Sequence, residues 1–232
     1  HLSIRRQRQM CIRDRVDVWG GEPEAVYVPV GIKAKFTCLT EHTEVFIAGA
    51  KYEKVLEPFD VRVSELDLVQ YGSDDTKTHR KIKHILGQKQ ANQVGRLLVS
   101  ELFTVGQGGW SGFPSHKHDT NRLPEETRHD ETYNFRFKPN YGSGLQMLQR
   151  EENKSGDAYH IVNGSTVCID KGYHPCCVLP GYEMYYFTIL GGLSQRSLKQ
   201  YFQPTHAAQL KTIPGILAVS YTHLTLPTNR EV

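Results

Sequence analysis

Two histidines separated by one residue stand in the segment PSHKHD, at positions 114–119. On a β-strand, His116 and His118 would point to the same face, about 6.6 Å apart along the chain. This spacing suits two ligands of a single metal ion. Because paired histidines also occur on solvated surfaces, a metal site requires further ligands elsewhere in the chain.

Two later segments offer such ligands. In HDETYNFRF, Glu131 begins an alternating pattern that places it on one strand face with Tyr133, Phe135 and Phe137. The aromatic side chains indicate that this face is buried, where a carboxylate needs a cation or hydrogen bonds. In DKGYHP, His174 follows a glycine turn. Three histidines and one glutamate can hold a divalent transition metal and leave positions open for a substrate.

Each candidate also has a simpler interpretation. The two histidines of HKH could be solvated, Glu131 could pair with an arginine, and His174 could be a turn residue. Glu125 and Glu126 lie nearer to HKH in the sequence, but they follow a proline in a loop. The strand position of Glu131 makes it the preferred carboxylate.

Short β-rich runs separated by Gly, Pro, Asn and Asp dominate the chain, and their spacing predicts an all-β sandwich or barrel. The best helical pattern is Ser197–Phe202. Residues 71–94 are polar with a basic centre and are predicted to connect two β halves, although a basic surface for an acidic partner is an alternative. The predicted strands are Ala25–Val30, Ala34–Leu39, Thr43–Ala48, Gly95–Thr104, Glu131–Phe137, Leu145–Arg150, Ala158–Ile161, Ser165–Ile169, Cys176–Val178 and Tyr182–Leu190.

The two ends of the chain are unlike the rest. RRQRQMCIRDR (5–15) and VSYTHLTLPT (219–228) can be encoded by reverse-complementary DNA, which resembles an adaptor used in fragment-library sequencing. Residues 1–15 and 219–232 are therefore predicted to be adaptor-derived and are excluded from fold reasoning. The arginines of the first segment account for the whole net charge of +3, so the sequence pI near 8.5 does not indicate nucleic-acid binding.

Cysteine usage and hydropathy bound the cellular setting. Cys38, Cys168, Cys176 and Cys177 lie between the two ends and form no CxxC pair, which favours reduced thiols in a cytoplasmic protein. No apolar run approaches the roughly 20 residues that a membrane-spanning helix needs. A membrane partner is therefore not predicted.

Three segments carry a family resemblance: GWSGFPSHKHD, ETYNFRF and KGYHPCCVLPGYEMYYFTILGG. They resemble the 5-deoxy-glucuronate isomerases of inositol catabolism, which are cupins with a metal inside a jelly-roll barrel, and more distantly the ketol-isomerases of pectin-derived uronates. The resemblance covers about residues 16–218. It implies an all-β bicupin with two jelly-roll β-barrel halves, in which residues 16–94 are a truncated amino-terminal half with its connection and residues 95–218 are the metal-binding half.

The resemblance also implies a site. Its metal ligands would be His116, His118, Glu131 and His174, holding a divalent ion for which zinc is preferred and manganese or iron is possible. The implied reaction converts 5-deoxy-D-glucuronate into 5-dehydro-2-deoxy-D-gluconate, an aldose–ketose isomerisation through a metal-stabilised enediolate.

Several roles in this reaction stay open. Glu131 and Tyr133 are the candidates for proton transfer between the two carbons. Gln146 is the candidate partner of the substrate carboxylate, and Tyr185 is a second substrate-binding candidate for which packing is the alternative. A small sugar acid and a possible homo-oligomer are the expected partners, without nucleic acid. The competing functions are another metal-dependent cupin enzyme, either a uronate ketol-isomerase or a dioxygenase that would consume oxygen, and a non-catalytic sugar-acid-binding cupin, which would bind without turnover.

Overall fold

The computed structural model describes residues 15–217, so the predicted adaptor segments lie outside the described residues except for Arg15. The chain is built mainly from strands, which confirms the predicted all-β class. Three 3-10 helices span Val63–Glu65, Gln88–Gln90 and Pro204–Lys211. The strands are β1 (Ala25–Tyr27), β2 (Phe59–Val61), β3 (Asp67–Tyr71), β4 (Arg80–Leu86), β5 (Leu97–Thr104), β6 (Gly109–Ser111), β7 (His116–Lys117), β8 (His129–Lys138), β9 (Ser143–Leu148), β10 (Asp157–Val162), β11 (Thr166–Ile169), β12 (Cys176–Val178), β13 (Glu183–Gly192) and β14 (Tyr201–Phe202).

Eight of the strands from β5 onward form two antiparallel sheets. One sheet contains the order β11–β8–β13–β5 and the other has the order β10–β9–β12–β6. The chain passes from one sheet to the other between β5 and β6, between β6 and β8 by way of β7, and between β8 and β9. It crosses again at each step from β10 to β11, from β11 to β12 and from β12 to β13. This is the arrangement of a jelly roll.

The core lies between these two sheets. The burial of β8 alternates along its length, so Phe135 and Phe137 point inward and are almost fully buried. They pack in one cluster with Met184 of the same sheet and with Leu148 and Cys176 of the facing sheet. A period of two along β8 therefore fixes which of its side chains, Glu131 and Tyr133 included, face the barrel interior.

Two strands from the earlier part of the chain extend the larger sheet, whose full order is β11–β8–β13–β5–β4–β3. The prediction that residues 71–94 form a connection is therefore wrong for Arg80–Leu86, which is β4. Within THRKIKHIL, Arg80 and Ile82 occupy the buried face, while the intervening Lys81 is half-buried. The charged residues conceal this alternation in the sequence.

The other face of the larger sheet is also covered. Phe103, Tyr185 and Phe187 form a second cluster there, against which Trp19 and Phe46 pack. Phe46 stacks on Phe187 with ring centroids 4.6 Å apart. β5 and most of β13 are thus buried on both faces, whereas the outer face of β8 is only partly covered.

Three expected elements do not form. Ala34–Leu39 and Thr43–Ala48 have no strand pairing, and most of their residues are exposed. The helical pattern at Ser197–Phe202 gives way to β14, and a 3-10 helix begins only at Pro204. The first two segments find no partner strand among the described residues, whereas in the third segment pairing with β7 prevails over local propensity.

The division of the chain into two jelly-roll halves remains a prediction. Among the described residues before 95, β1 and β2 pair with each other, whereas β3 and β4 join the sheet of the later half. Cys168, Cys176 and Cys177 are free thiols. No helix among residues 15–217 is long and apolar enough to span a membrane.

Core packing makes one prediction about stability. We expect Phe135→Ala to lower the free energy of unfolding by about 3–5 kcal/mol, because it removes a fully buried ring and leaves a cavity. Phe36→Ala is the matched control, since the Phe36 side chain is 68% exposed and its loss should change stability by less than about 0.5 kcal/mol. Urea denaturation measures both, and equal midpoints for the two variants would contradict this assignment of the core.

Candidate metal centre

Three predicted ligands meet inside the barrel. His118 Nε2 lies 3.0 Å and His174 Nε2 lies 3.1 Å from the same oxygen, Glu131 Oε2. One ligand atom from each residue lies within 4.8 Å of the others, and all three residues are buried. The structure therefore brings His118, Glu131 and His174 together from three separate segments.

Backbone contacts place each of the three. Glu131 is on the inward face of β8, opposite Leu190 of β13. His118 follows β7, and its carbonyl accepts the N–H of His129 at 2.9 Å. His174 follows Gly172, whose φ of 98° is strained for other residues, and a Cβ there would lie 2.6 Å from the carbonyl oxygen of Gln149.

The imidazole orientations suit metal coordination. His118 Nδ1 faces the carbonyl oxygen of His129 at 3.1 Å, and His174 Nδ1 faces that of Gly172 at 2.8 Å. If each Nδ1–H donates to its carbonyl, each Nε2 keeps a lone pair directed at the shared centre. Such carbonyl partners are typical of histidine ligands, because they fix the tautomer and the ring orientation.

The charges of the triad are mutually dependent. Burial raises the pKa of Glu131, but the hydrogen bond with His118 and the charges of His118 and His174 hold it well below its usual value. Its second oxygen, Oε1, accepts a hydrogen bond of 2.8 Å from Thr188. The buried Nε2 of His174 makes no hydrogen bond of acceptable geometry. An ionised carboxylate and an unsatisfied imidazole nitrogen at one buried point fit a divalent cation.

His116, the fourth predicted ligand, lies beside the triad but outside it. Its ring centroid is 5.1 Å from that of His174, whereas its Nε2 is 3.0 Å from the amide nitrogen of Gln200. Its Nδ1 faces the carbonyl oxygen of Pro114 at 3.4 Å. Coordination by His116 therefore stays a prediction.

Asp119, the last residue of HKHD, connects two of the ligand segments. Its Oδ2 accepts the N–H of Gly172 at 2.8 Å, and its Oδ1 accepts a hydrogen bond of 2.6 Å from Lys117. Burial raises the pKa of Asp119, but these contacts and that of Thr120 lower it to about 2. The ionised Asp119 thus holds the turn before His174 against the segment that carries His118.

Glu126 has a separate role. It is fully buried, and its Oε1 accepts the N–H groups of Asp119 and Thr120 at 2.8 and 3.1 Å. Its Oε2 accepts a hydrogen bond of 2.8 Å from Arg122. Glu126 therefore organises the loop, and the preference for Glu131 as the carboxylate of the triad agrees with the geometry.

A cavity of about 110 Å³ opens beside the triad. Its wall includes Glu131, His116 and Tyr133 together with Tyr186 and Thr188 of β13. The volume is well above the space that one water molecule needs, so a small ligand can reach the triad. Burial, and then the charge of Glu131, raise the pKa of Tyr133 well above its usual value, so its hydroxyl stays protonated.

Gln146 and Tyr185 do not line this cavity. The Gln146 side-chain amide donates to the carbonyl oxygens of Met147 and His174, both at 2.9 Å, so Gln146 supports the His174 segment. Tyr185 points to the opposite face of the larger sheet, where its hydroxyl donates to Glu101 at 2.9 Å. The expectation that these two residues bind substrate is not supported by their positions, and Tyr186 takes the place in the cavity wall that was expected for Tyr185.

Sequence reasoning missed another residue of the cavity wall, Arg80. It comes from β4, within the segment that was predicted to be a connection. The available signal was the alternation of Arg80 and Ile82, which puts a cation on the apolar face of a strand.

Comparisons with known proteins agree with the fold and the motifs. The model of the KduI/IolB family matches residues 1–209. The chain is 31% identical over 207 residues to the 5-deoxy-glucuronate isomerase of Geobacillus kaustophilus, with 89% of this chain and 72% of that protein covered. It is 29% identical over 196 residues to the 5-deoxy-glucuronate isomerase of Bacillus subtilis, with 84% and 70% covered.

A solved structure is also similar. The crystal structure of an IolB-like protein from Salmonella typhimurium aligns with a TM-score of 0.61 and 29% identity, over 67% of this chain and 57% of that chain. The family resemblance inferred from the three motif segments is therefore confirmed. The curated relatives are isomerases, in agreement with the prediction that the chain is an enzyme.

The triad predicts which histidines are needed for metal. We expect His118→Ala and His174→Ala each to lower zinc affinity by at least about 100-fold, because each removes one of three converging ligand atoms. His160→Ala is the control, since His160 is exposed on β10. Zinc titration by calorimetry measures the affinities, and undiminished affinity in both triad variants would exclude this centre.

The position of Asp119 leads to a second prediction about zinc affinity. Asp119→Ala removes the acceptor of the Gly172 N–H and should weaken zinc binding about 10- to 100-fold by releasing the turn before His174. The control is Asp170→Ala, in the same turn, because that side chain is 67% exposed. If Asp119→Ala binds zinc as tightly as Asp170→Ala, Asp119 does not position His174.

Proposed function

Because the chain belongs to the KduI/IolB family, we propose that it is an aldose–ketose isomerase that converts 5-deoxy-D-glucuronate into 5-dehydro-2-deoxy-D-gluconate in myo-inositol catabolism. The observation that carries this proposal is the convergence of His118, Glu131 and His174 at one buried point, with Glu131 also lining a cavity. Isomerisation of this kind moves a proton between neighbouring carbons while negative charge develops on their oxygens. The site supplies both a metal position and titratable groups for these two tasks.

His118, Glu131 and His174 would hold the metal, and His116 is the proposed fourth ligand. Zinc suits this donor set best, and manganese or iron would accept it too. When bound, the ion would supply Lewis-acid polarisation of the substrate's carbonyl and hydroxyl oxygens.

Other groups of the cavity are assigned the transfer of the proton and the hydrogen bonds to substrate oxygens. Glu131 is the ionised candidate, since its pKa is held low, and we assign it the role of proton acceptor. Tyr133 stays protonated, which suits it to donate a hydrogen bond or a proton to a substrate oxygen rather than to act as a base. The Thr188 hydroxyl donates a hydrogen bond to Glu131 Oε1 and keeps that carboxylate in place.

A small sugar acid is the proposed substrate class. A cytoplasmic location, inferred from cysteine usage, and a homo-oligomeric state remain predictions. The aldose–ketose assignment itself can be tested directly.

The assay follows 5-deoxy-D-glucuronate by NMR in the presence of the zinc-loaded protein. We expect formation of 5-dehydro-2-deoxy-D-gluconate without oxygen consumption, and loss of turnover after chelation or in the His118→Ala, His174→Ala double variant. Oxygen uptake would favour a dioxygenase. Binding without turnover by the folded, metal-loaded protein would favour a sugar-acid-binding cupin, and either result would refute the proposal.

Tyr133 provides a second test of the mechanism. Tyr133→Phe should lower kcat by about 100-fold while metal content is unchanged, because it removes one hydrogen-bond donor and no ligand. Tyr159→Phe is the control, since Tyr159 is exposed on β10. Unchanged kcat in Tyr133→Phe would remove Tyr133 from the reaction.

A further inference from the structure

The wall of the cavity contains a buried arginine that has no acidic partner within residues 15–217. Arg80 is only 5% exposed and lines the same cavity as Glu131 and His116. Among the described residues, no carboxylate forms a salt bridge with it. Its hydrogen-bond partners are two phenol groups, Tyr71 at 2.6 Å and Tyr186 at 3.0 Å.

The two tyrosines do not use all the N–H groups of the Arg80 guanidinium. A guanidinium has five N–H groups in a planar fork, of which the two tyrosine hydroxyls accept one each. The buried Nε of Arg80 has no hydrogen-bond partner. A buried charge without a counter-ion is costly, and buried charges in proteins are normally paired. The fork therefore has both the charge and the free donors to receive an anion.

The surrounding residues fix the fork in position. Arg80 lies over the Tyr71 ring at 5.4 Å, and the Tyr186 hydroxyl is also 2.6 Å from Ser111 Oγ. Burial lowers the pKa of Arg80, but its tyrosine neighbours keep it above the usual value, so the guanidinium stays charged. Since β4 is anchored between β3 and β5, the cation cannot leave the cavity without disrupting the sheet.

A continuous row of side chains joins this cation to the triad. The ring centroids of Tyr186 and Tyr133 are 4.5 Å apart, and those of Tyr133 and His174 are 6.2 Å apart. The cavity lining thus contains a cationic group, Arg80, and one member of the triad, Glu131, together with Ile82 and Leu102. A ligand with one anionic end and one oxygen-rich end would match both.

We propose that Arg80 binds the carboxylate of the substrate and thereby restricts the site to sugar acids. This inference rests on the proposed isomerase function for the identity of the substrate, but the anion site itself can be tested without turnover. Arginine suits the role because its planar fork binds both oxygens of a carboxylate at once.

The test compares D-glucuronate with D-glucose, which differ in one carboxylate. Calorimetry on the parent should show binding of D-glucuronate at least about 30-fold tighter than that of D-glucose. Arg80→Met, which keeps the length of the side chain without its charge, should abolish this preference, and Arg80→Lys should keep part of it. Arg150→Met is the matched control, since Arg150 is partly exposed and pairs with Asp157 and Asp170.

Kinetics and metal content complete the test. With 5-deoxy-D-glucuronate, Arg80→Met should raise KM by a similar factor, while zinc content equals that of the parent. Equal binding of the two sugars by the parent would overturn the inference even if Arg80→Met failed to fold. Equal D-glucuronate affinity in a folded Arg80→Met would overturn it as well. Arg80-dependent binding of D-glucuronate without isomerisation would instead refute the proposed function and leave the anion site established.

Discussion

A single buried carboxylate, shared by two histidines, is the interaction on which the interior of the barrel depends. An ionised Glu131 costs several kcal/mol to remove from water unless partners compensate it. His118, His174 and Thr188 supply that compensation, and each comes from a different part of the chain. Four segments must therefore meet at one point, and the loops that carry the histidines are as constrained as the strand that carries the glutamate.

The same constraint extends outward through the backbone. Both histidine rings are oriented by carbonyl oxygens, one at the start of β8 and one in the turn at Gly172. Asp119 joins that turn to the HKHD segment. Because β8 pairs with β11 on one side and with β13 on the other, a shift of β8 to accommodate a misplaced ligand would break both sets of backbone hydrogen bonds. A site supported on a rigid sheet holds its ligand atoms more accurately than one supported on loops alone.

Much of this site could be predicted from the sequence, for definite physical reasons. Alternation along β8 gives Glu131 and Tyr133 a common inward face. His118 and His174 could be predicted as ligands because imidazole nitrogens bind transition metals. The orientation of His116 could not be predicted, because its partner Gln200 is 84 residues away in sequence. The family resemblance supplied four ligands, whereas the geometry brings three of them together.

Burial also explains why the sequence did not indicate Tyr186 and Arg80 as residues of the cavity wall. Tyr185 and Tyr186 are neighbours on β13, where most residues are buried on both faces, so alternation carries no signal about which one faces the cavity. Arg80 was hidden differently, since THRKIKHIL is rich in cations and resembles a solvated connection. Charged residues in such a stretch usually lie on the surface. Arg80 indicates a binding site only once the neighbouring strands are known to bury it.

The unpaired charge of Arg80 also bears on how the cavity would select its ligand. Specificity is a difference between two affinities, and a site rejects a ligand most strongly when binding leaves one of its buried polar groups without a partner. A neutral sugar in this cavity would leave the Arg80 guanidinium without a counter-ion, with water excluded from it. A sugar acid would neutralise it. Discrimination would then come as much from the penalty on the wrong ligand as from attraction to the right one, and it would originate in β4, outside the eight strands of the barrel that carry the candidate metal centre.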